Sequence, residues 1–532
     1  MKKSLVCLSV VMAAAMCLTS CNKDEQTADG IQFKATMERA SSQDAKTILN
    51  ESDLEWVAGD QVAIYGSEQQ GLYTAQPVSG TPTSATLSVV GQPAQGTPYC
   101  AIYPASAANS RTSFTIPAEQ VTVDGSLTNF PMYAKSTDEN LAFKNLCGVL
   151  KIHLEQADAL VSRIIVTATT EINGNFNINN SQEIPSISYA DGGSCTTMLT
   201  CTTPQDITEG KDFYVIMPAG DYSELNIKIM NAGYGVEKNA PEGAVVTIER
   251  SKYSTLSFAA LDMPVPPDDV EVWGLYSISD NEQVWISSGN LQYNATTETW
   301  RFAPEQYTYN STGWKDLFGW GTSGWDNGNT YYLPTHRANN GTSSTGYGYG
   351  PTNGSSYRLS LTGDYANADW GIYNAIENGG NQPGLWRTLT NDQSNYLNGS
   401  NTKRNDRRGT ATVNNVHGVV MIPDMWVAPQ GLNFVPDVNS WESNVYTADQ
   451  WNQMEASGAI FLPTAGYYYS ETDSRHFAGS EGNYWTATNN GTNGAKYFHS
   501  SLNGTGSTSS RVRYYGYSVR LVKDYVPASQ AQ

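Results

Sequence analysis

The chain has 532 residues and a formal net charge of −20, because 31 Lys and Arg stand against 51 Asp and Glu. This acidic balance excludes a nucleic-acid binder, which needs a basic face to displace counterions. A hydrophobic content of 39%, with 11% aromatic residues, excludes a disordered chain. All seven Cys lie before residue 202, whereas 12 of 13 Trp and 22 of 32 Tyr lie after residue 270. At roughly 150 residues per domain, the length predicts three or four domains.

Residues 1–20 have the form of a signal peptide. Met1-Lys2-Lys3 is basic, and residues 4–17 form an apolar run too short to span a bilayer as a stable helix. The next residues, Leu18-Thr-Ser-Cys21, resemble a bacterial lipobox. The resemblance implies cleavage before Cys21, lipidation of its thiol and attachment to the outer membrane. The alternative is an ordinary secretory signal in which Cys21 is incidental.

Residues 21–30 are predicted to be a polar tether, and residues 31 to about 260 have an all-β pattern. Runs of alternating apolar and polar residues recur between clusters of Gly, Pro, Asn and Asp, as is typical of β-sandwiches. The predicted strands are Gln61–Tyr65, Tyr99–Tyr103, Gly148–Leu154, Arg163–Ala168, Phe213–Met217, Leu225–Met230 and Ala244–Ile248.

Four thiols remain in the mature chain besides that of Cys21, namely Cys100, Cys147, Cys195 and Cys201. Outside the cytoplasm they can form two disulfides, in any of three pairings. Buried free cysteines are the alternative, since cysteine packs as a small apolar residue. The sequence leaves both states open.

Seven segments of this part follow one another in a distinctive order and spacing. The longest is Leu141–Ile152, with the sequence LAFKNLCGVLKI, and the others are Phe33–Met37, Trp56–Tyr65, Ala101–Pro104, Phe114–Pro117, Met132–Lys135 and Phe213–Tyr222. Together they resemble the fimbrillin-like lipoproteins of Bacteroidota, which are the pilins of their surface fimbriae. The resemblance implies two tandem transthyretin-like β-sandwiches, at residues 31–158 and 159–260.

The same resemblance implies a mode of assembly with other fimbrial subunits. In this family a protease cuts after an Arg and removes the first strand, and a strand of the next subunit then fills the vacated groove by β-augmentation. The first Arg of the mature chain is Arg39, which is the predicted processing site. Arg111 is the alternative site, and Arg39 as an ordinary solvated loop residue is the alternative role.

Residues 261–272 are rich in Pro and Asp, which predicts a semi-rigid linker. Residues 273–526 are rich in Trp, Tyr, Gly, Asn and Ser, and residues 527–532 form a tail. Long loops are expected at residues 338–356 and 486–510, because Gly and Asn dominate there.

Two short helices are predicted in this C-terminal part. Thr390–Gln393 and Thr447–Gln450 each have the capping-box pattern, in which a Thr side chain and a Gln three residues later satisfy the first backbone N–H groups. Gly399 and Gly458 are predicted to end the two helices.

Seven segments of the C-terminal part carry a second resemblance: Val284–Tyr293, Trp300–Ala303, Trp386–Thr390, Gly418–Trp426, Gly458–Tyr467, Tyr484–Thr488 and Ser518–Asp524. They resemble the C-type-lectin-like domains of bacterial surface proteins, which are related in fold to formylglycine-generating enzymes. The resemblance implies a mixed α+β fold. Formylglycine generation depends on active-site cysteines, which this part lacks, so that activity is excluded. Zinc and EF-hand spacings are absent from the sequence, so no metal or cofactor is predicted.

Two stretches predict a binding surface, because flat aromatic faces with Asn, Asp and Arg hydrogen bonders hold saccharides and protein receptors alike. They are Gly319–Tyr332 and Asn489–Tyr517. The candidate ligand-binding residues are Trp320, Trp325, Asp326, Asn327, Tyr331, Tyr497, His499, Asn503, Arg511, Arg513 and Tyr514. The alternative is that both stretches are simply solvated loops.

Together these features predict a mainly β, non-enzymatic lipoprotein of the cell surface. The first interpretation is a fimbrial subunit, and specifically a tip adhesin that binds a glycan or a protein receptor through its C-terminal domain. The alternative is a stand-alone cell-surface glycan-binding lipoprotein. An unrecognised glycoside hydrolase ranks below both, because no pair among the many carboxylates is singled out.

Overall fold

The computed structural model of the chain describes residues 31–38, 54–259, 261–325, 328, 330–331, 359–399, 404–469, 474–491, 494–501 and 504–527, with the backbone alone for 504–508. The fold is mainly β, as the sequence predicts. Strands are numbered in chain order below. Among the helices in the described residues, none is long and apolar enough to cross a membrane.

Two sheets form a first sandwich around a core that includes Phe33, Val62, Ile102, Phe114 and Phe176. In spatial order the larger sheet contains β10 (Asn140–Ala142), β1 (Phe33–Thr36), β4 (Thr81–Val90), β3 (Gln70–Val78), β2 (Gln61–Tyr65), β5 (Tyr99–Tyr103), β9 (Met132–Ser136) and β11 (Lys144–Asn145). The smaller sheet contains β15 (Ser186–Asp191), β14 (Gly174–Asn179), β7 (Ser113–Ile116) and β6 (Ala108–Ser110).

A second sandwich has a core that includes Ile152, Ile164, Leu199, Val215 and Ile227. Its five-stranded sheet contains β20 (Tyr234–Asn239), β19 (Asn226–Asn231), β13 (Leu160–Thr167), β16 (Thr196–Asp206) and β8 (Glu119–Thr122). The facing sheet contains β17 (Lys211–Met217), β12 (Gly148–Leu154) and β22 (Tyr253–Phe258), and β18 (Gly220–Ser223) pairs with β21 (Val245–Ile248). All seven strands predicted for residues 31–260 occur, with small differences at their ends.

The two sandwiches exchange strands, so the predicted boundary between residues 158 and 159 is wrong. β8 leaves the first sandwich and pairs in parallel with β16 of the second. β14 and β15 return to the first sandwich, where β14 pairs with β7. β12, predicted in the first domain, belongs to the second. Local alternation predicts strands, but long-range pairing decides which sheet each strand joins.

Residues 261–272 are packed against both neighbouring domains, which corrects the prediction of a linker that merely separates them. Leu261 and Val270 are buried in the core that the second sandwich shares with the C-terminal domain. Lys523 Nζ donates to the two carboxylate oxygens of Asp269 at 2.6 and 2.7 Å. The buried apolar residues lie on either side of the prolines, and their burial outweighs the tendency of a charged segment to stay in solvent.

The C-terminal domain is built from small sheets. They contain β23 (Leu275–Ser277), β24 (Gln283–Ile286), β37 (Leu521–Asp524) and β27 (Arg387–Thr388); β25 (Leu291–Asn294) and β26 (Thr299–Phe302); and β30 (Val445–Tyr446), β28 (Arg408–Val413), β29 (Val416–Met421) and β31 (Ile460–Pro463). The others are β32 (Tyr467–Tyr468) with β33 (Arg475–His476), and β34 (Glu481–Asn490), β35 (Gly494–Ser501) and β36 (Gly504–Val512).

The described helices are α1 (Trp370–Tyr373), α2 (Asn391–Leu397) and α3 (Ala448–Ala456), with 3-10 turns at Ala105–Ala107, Gly363–Ala368 and Asn405–Arg407. Both predicted capping boxes are confirmed: the Thr390 and Thr447 hydroxyls accept from the backbone N–H groups of Gln393 and Gln450 at 3.3 and 3.2 Å. Gly399 and Gly458 follow the helices with positive φ angles.

The predicted loop at 486–510 is instead part of the meander formed by β34, β35 and β36. Its strands are rich in Ser, Thr, Asn and Gly, so they lack the apolar alternation by which half-buried strands are found in a sequence. The other predicted loop, 338–356, lies outside the described residues.

Candidate functional site

β1 lies inside the larger sheet of the first sandwich, although it is the first strand of the described chain. Ala35 is opposite Ala85 of β4 in an antiparallel pair and opposite Leu141 of β10 in a parallel pair. Phe33 and Ala35 are buried, whereas Lys34 and Thr36 are exposed. We call the space that β1 fills between β4 and β10 the β1 groove. Loss of the strand would leave two unpaired strand edges there.

The two ends of β1 are held by side-chain contacts. The Phe33 ring lies edge-on to the rings of Tyr73 and Tyr99, with centroids 5.2 and 4.8 Å away. The Glu38 carboxylate accepts from Arg250 Nη1 at 2.6 Å and from the backbone N–H of Asn145 at 2.9 Å. Burial acts to raise the pKa of Glu38, but these two donors outweigh it and the pKa is lowered.

The two candidate processing sites differ in position. Arg39 directly follows Glu38 and lies outside the described residues. Arg111 lies in the turn between β6 and β7, where its guanidinium donates to Pro98 O and, at 3.3 Å, to Cys100 Sγ. A cut after Arg111 would split a hairpin of the first sandwich, so Arg39 is the better candidate.

The four cysteines Cys100, Cys147, Cys195 and Cys201 are free thiols in this structure, which is the second of the two states that the sequence leaves open. Burial raises the pKa of Cys201 to about 11 and raises that of Cys147 as well. Both groups therefore remain protonated thiols that fill core space, rather than reactive nucleophiles.

Six partly exposed aromatic side chains form a cluster in the C-terminal domain, which we call the tyrosine surface: Tyr467, Tyr469, His476, Phe477, Tyr514 and Tyr515. The Tyr467 ring is central, with centroids of Phe477 and Tyr515 at 5.8 Å. Tyr515 is stacked with Tyr469 at 5.9 Å and with Tyr514 at 5.3 Å. The cluster therefore offers several ring faces within one patch.

Phe477 is the most exposed member, with 55% of its surface accessible. Its φ angle is +56°, a left-handed conformation that a bulky residue rarely adopts. The backbone N–H groups of Glu481 and Ser480 donate to Phe477 O at 2.9 and 3.1 Å and hold this turn. A strained backbone that presents an apolar ring to solvent indicates a functional position.

The tyrosine surface rests on buried rings. Tyr517 lies beneath Tyr467, with centroids 5.9 Å apart, and is 4.4 Å from Trp485. Trp485 Nε1 donates to Phe318 O at 2.7 Å. Rings fixed by such packing lose little conformational entropy when a ligand binds.

Arg511 adds an exposed positive charge beside this cluster. Partial burial acts to lower the pKa of Arg511, but Tyr497 and Tyr517 outweigh it and the pKa is raised. The guanidinium of Arg475, by contrast, is bonded within the protein, because it donates to Asp316 Oδ1 at 2.5 Å and to Ala465 O at 2.7 Å. The site therefore combines aromatic faces with a permanent cation, which suits hydrogen-bonding and anionic groups.

Three of the predicted ligand-binding residues are buried, so their side chains form no accessible binding face. Trp320 is fully buried, and its Nε1 donates to Thr486 O at 2.8 Å. Arg513 is buried beside it, with the guanidinium 5.9 Å from the Trp320 ring. Tyr497 is buried against Tyr517. The sequence around these residues is rich in Gly and Asn, which is typical of exposed loops, so their burial in the core could not be predicted from it.

The remaining described candidates are half-buried or exposed. Trp325 lies near the Tyr365 ring, Tyr331 is stacked on Tyr293, and His499 Nε2 is 3.8 Å from Glu481 Oε2. Tyr514 belongs to the tyrosine surface and Arg511 lies beside it. The predicted residues Cys21, Arg39, Asp326, Asn327 and Asn503 lie outside the described residues.

The two predicted stretches do meet, because Trp320 N donates to Arg513 O at 2.9 Å. The sequence prediction missed Tyr467, Tyr469, Phe477 and Tyr515. A signal was present: three consecutive tyrosines, 467–469, cannot all face the core of a strand, where side chains alternate. Within the described parts of the chain, no three His, Cys, Asp or Glu side chains come together to hold a metal ion.

No family model matches the sequence, and no curated protein matches it. A candidate cell adhesion protein from Bacteroides ovatus is similar in structure, with 12% identity and a TM-score of 0.28, over 45% of this chain and 96% of that one. One from Bacteroides uniformis has 14% identity and a TM-score of 0.27, over 44% and 94%. The tip fimbrial protein Mfa3 from Porphyromonas gingivalis, truncated at its C-terminus, has 11% identity and a TM-score of 0.19, over 45% and 96%. Similarities this low identify neither a family nor a function for the chain.

Proposed function

We propose that the protein is a fimbrial subunit of the bacterial surface, assembled by donor-strand exchange, with its C-terminal domain acting as a tip adhesin. Cys21 would carry the lipid that anchors it to the outer membrane, and cleavage after Arg39 would release β1. The observation that carries the proposal is the place of β1. A terminal strand fills the interior of a sheet and is followed directly by a polar Arg-containing segment.

Strand exchange follows physically from this arrangement. β1 contributes two buried apolar side chains and two backbone ladders, which an extended strand of another subunit can reproduce. A subunit at the tip has to accept such a strand and has no need to donate one. β37, the last strand that the structure describes, is paired between β24 and β27 of its own domain, so it is not offered to another subunit.

The receptor would bind at the tyrosine surface. Aromatic faces stack against the apolar faces of sugar rings or against side chains of a protein, and Arg511 supplies charged hydrogen bonds. A glycan and a protein receptor use the same kinds of contact, so both are ligands of this proposal.

The assembly step is tested by mass spectrometry of the protein taken from surface fimbriae. The expected N-terminus is Ala40, and Arg39→Ala should keep the chain at Cys21 and abolish its incorporation. Immunogold labelling should place the protein at fimbrial ends. An N-terminus at Cys21 in assembled fimbriae would contradict the strand-exchange role.

The adhesive step is tested with the full chain on a glycan array and on host matrix proteins. Phe477→Ala and Tyr469→Ala should each lower binding about tenfold, since stacked aromatic contacts contribute roughly 1 kcal/mol or more. Tyr189→Ala is the matched control, because Tyr189 is also exposed but lies on β15 of the first sandwich. Glycan binding by a protein that never co-purifies with fimbriae would favour the stand-alone glycan-binding lipoprotein.

A further inference from the structure

We propose that the β1 groove selects strands that carry an acidic residue at the place of Glu38, where Arg250 and the Asn145 N–H receive the carboxylate. The partner is an extended segment of another subunit with the pattern aromatic–x–small–x–apolar–acidic, as in Phe33–Glu38 itself. This inference rests on the strand exchange proposed above, and it adds which strands the groove accepts.

The contact between Glu38 and Arg250 has the geometry of a specific carboxylate site. Arg250 Nη1 and Nη2 donate to the two carboxylate oxygens of Glu38 at 2.6 and 3.1 Å. The Asn145 N–H adds a third donor at 2.9 Å. Both side chains are largely buried, with 15% of Glu38 and 24% of Arg250 accessible. Bidentate, partly desolvated pairs of this kind are stronger and more selective than exposed ones.

The position of Arg250 makes the carboxylate a requirement rather than an addition. Arg250 follows β21 in the second sandwich, while Asn145 ends β11 in the first, so Glu38 joins the two sandwiches. When the carboxylate is absent, Arg250 keeps its bond to Asn145 O at 3.0 Å but faces a desolvated gap without an anion. A strand with a neutral residue at this place would leave that charge uncompensated.

The apolar positions fix direction and register. Phe33 fits between the Tyr73 and Tyr99 rings, which suits an aromatic residue. Ala35 is 1% accessible between its partners Ala85 and Leu141, so a larger side chain would have to displace neighbours. A shift of one residue would turn the apolar side chains toward solvent and remove the carboxylate from Arg250.

The test uses the full mature chain with a specific protease site inserted after Arg39. After cleavage, the rate at which the labelled fragment that ends in Glu38-Arg39 leaves the protein is measured by size-exclusion chromatography. Glu38→Gln and Arg250→Gln should each raise the release rate about tenfold, because hydrogen bonds between charged groups are lost. The double variant should release the fragment no faster than the faster single variant. Lys34→Gln, on the exposed face of the same strand, is the matched control and should release it at the wild-type rate. Release of the Glu38→Gln fragment at the wild-type rate would overturn the proposal.

A second measurement separates this proposal from strand exchange itself. Peptides with the sequence of residues 31–38, carrying Glu or Gln at the last position, compete with the cleaved fragment. The Glu peptide should bind the wild-type protein about tenfold more tightly, and both should bind Arg250→Gln equally. Equal binding to the wild-type protein would overturn the carboxylate selection alone. Replacement by neither peptide would count against strand exchange, and the release rates would still decide the role of Glu38.

Discussion

Gly274 lies directly against Gly458 in the C-terminal domain, at the point where Gly233 of the second sandwich packs against both. A Cβ on Gly274 would overlap the carbonyl group of Gly458, and one on Gly458 would lie 2.9 Å from Gly274 Cα. Gly233, in the turn between β19 and β20, completes the contact, because its N–H donates to Trp273 O at 2.9 Å. Three backbone segments therefore meet where no side chain fits, and the two domains form one unit.

We expect Gly458→Ala to lower the free energy of unfolding by about 3 kcal/mol or more, since a strained φ of +90° is combined with overlap of neighbouring backbone. Gly431→Ala is the matched control: its φ is +77°, but no atom lies within 4 Å of the added Cβ, so strain alone should cost about 1 kcal/mol. Denaturant titration followed by Trp fluorescence measures both losses. Equal losses of stability in the two variants would contradict this prediction, because they would mean that the backbone around Gly458 can move to make room for a Cβ.

The strained turn at Phe477 gives a second prediction. Phe477→Gly should be more stable than Phe477→Ala by about 1 kcal/mol, although glycine normally costs stability. The reason is the φ of +56°, which glycine adopts without strain and alanine does not. Thermal unfolding of the two variants measures the difference, and both should lose receptor binding alike. If Phe477→Ala is the more stable variant, the backbone at this position is not strained.

Gln120 on β8 links the two sheets of the second sandwich through its side-chain amide, because its partner Ile216 lies on β17. Its Nε2 donates to Ile216 O, and its Oε1 accepts from Ile216 N, both at 2.8 Å. Gln120→Met keeps the volume but leaves both buried backbone groups without these partners, so we expect a loss of about 2–4 kcal/mol on denaturant titration. Gln182→Met, at an exposed position, should change stability by less than about 0.5 kcal/mol. Similar values for both variants would exclude a structural role for Gln120.

Asp369, the N-cap of α1, predicts a pH dependence. Burial raises the pKa of Asp369 to about 6, even though the carboxylate accepts from Gly371 N and Thr388 N at 3.0 and 2.8 Å. Because the pKa is higher in the folded state, the proton favours folding. This contribution is complete below about pH 4 and is lost as the pH rises through 6.

The stability of the wild-type protein relative to Asp369→Asn should therefore fall by up to about 3 kcal/mol between pH 4 and pH 7. Denaturant titrations of both proteins at several pH values measure this difference. Taking the difference between the two free energies of unfolding cancels the contribution of all carboxylates that titrate equally in both proteins. A difference that stays constant across the range would contradict the raised pKa.

The sequence predicts those parts of the fold that depend on neighbouring residues. Thr390 and Thr447 predict their helices because a capping box needs only four consecutive residues. The alternation in Gln61–Tyr65 predicts β2 because it, too, depends only on residues that are neighbours in the sequence. The parallel pairing of Glu119 with Met198 could not be predicted, because it depends on which strands compete for one edge after the chain has crossed between sandwiches.

The candidate site was predicted less well than the fold. Trp320 lies in a Gly-rich stretch typical of loops, but its indole is buried and donates to Thr486 O, which is 166 residues away in sequence. Phe477 could not be singled out, since its exposure depends on a backbone conformation that no pattern of residue types encodes. The acidic partner of Arg250 is 212 residues away in sequence, so it too needed the folded structure.

The exchange of strands between the sandwiches has a consequence for the order in which the chain folds. The larger sheet of the first sandwich has all its strands once residue 145 has emerged, but its cover also needs β14 and β15, which end at Asp191. A chain that folds from its N-terminus as it emerges therefore has an uncovered apolar sheet face until nearly fifty further residues have emerged. A chain that stalls in this interval exposes an aggregation-prone sheet for longer than two consecutive sandwiches would.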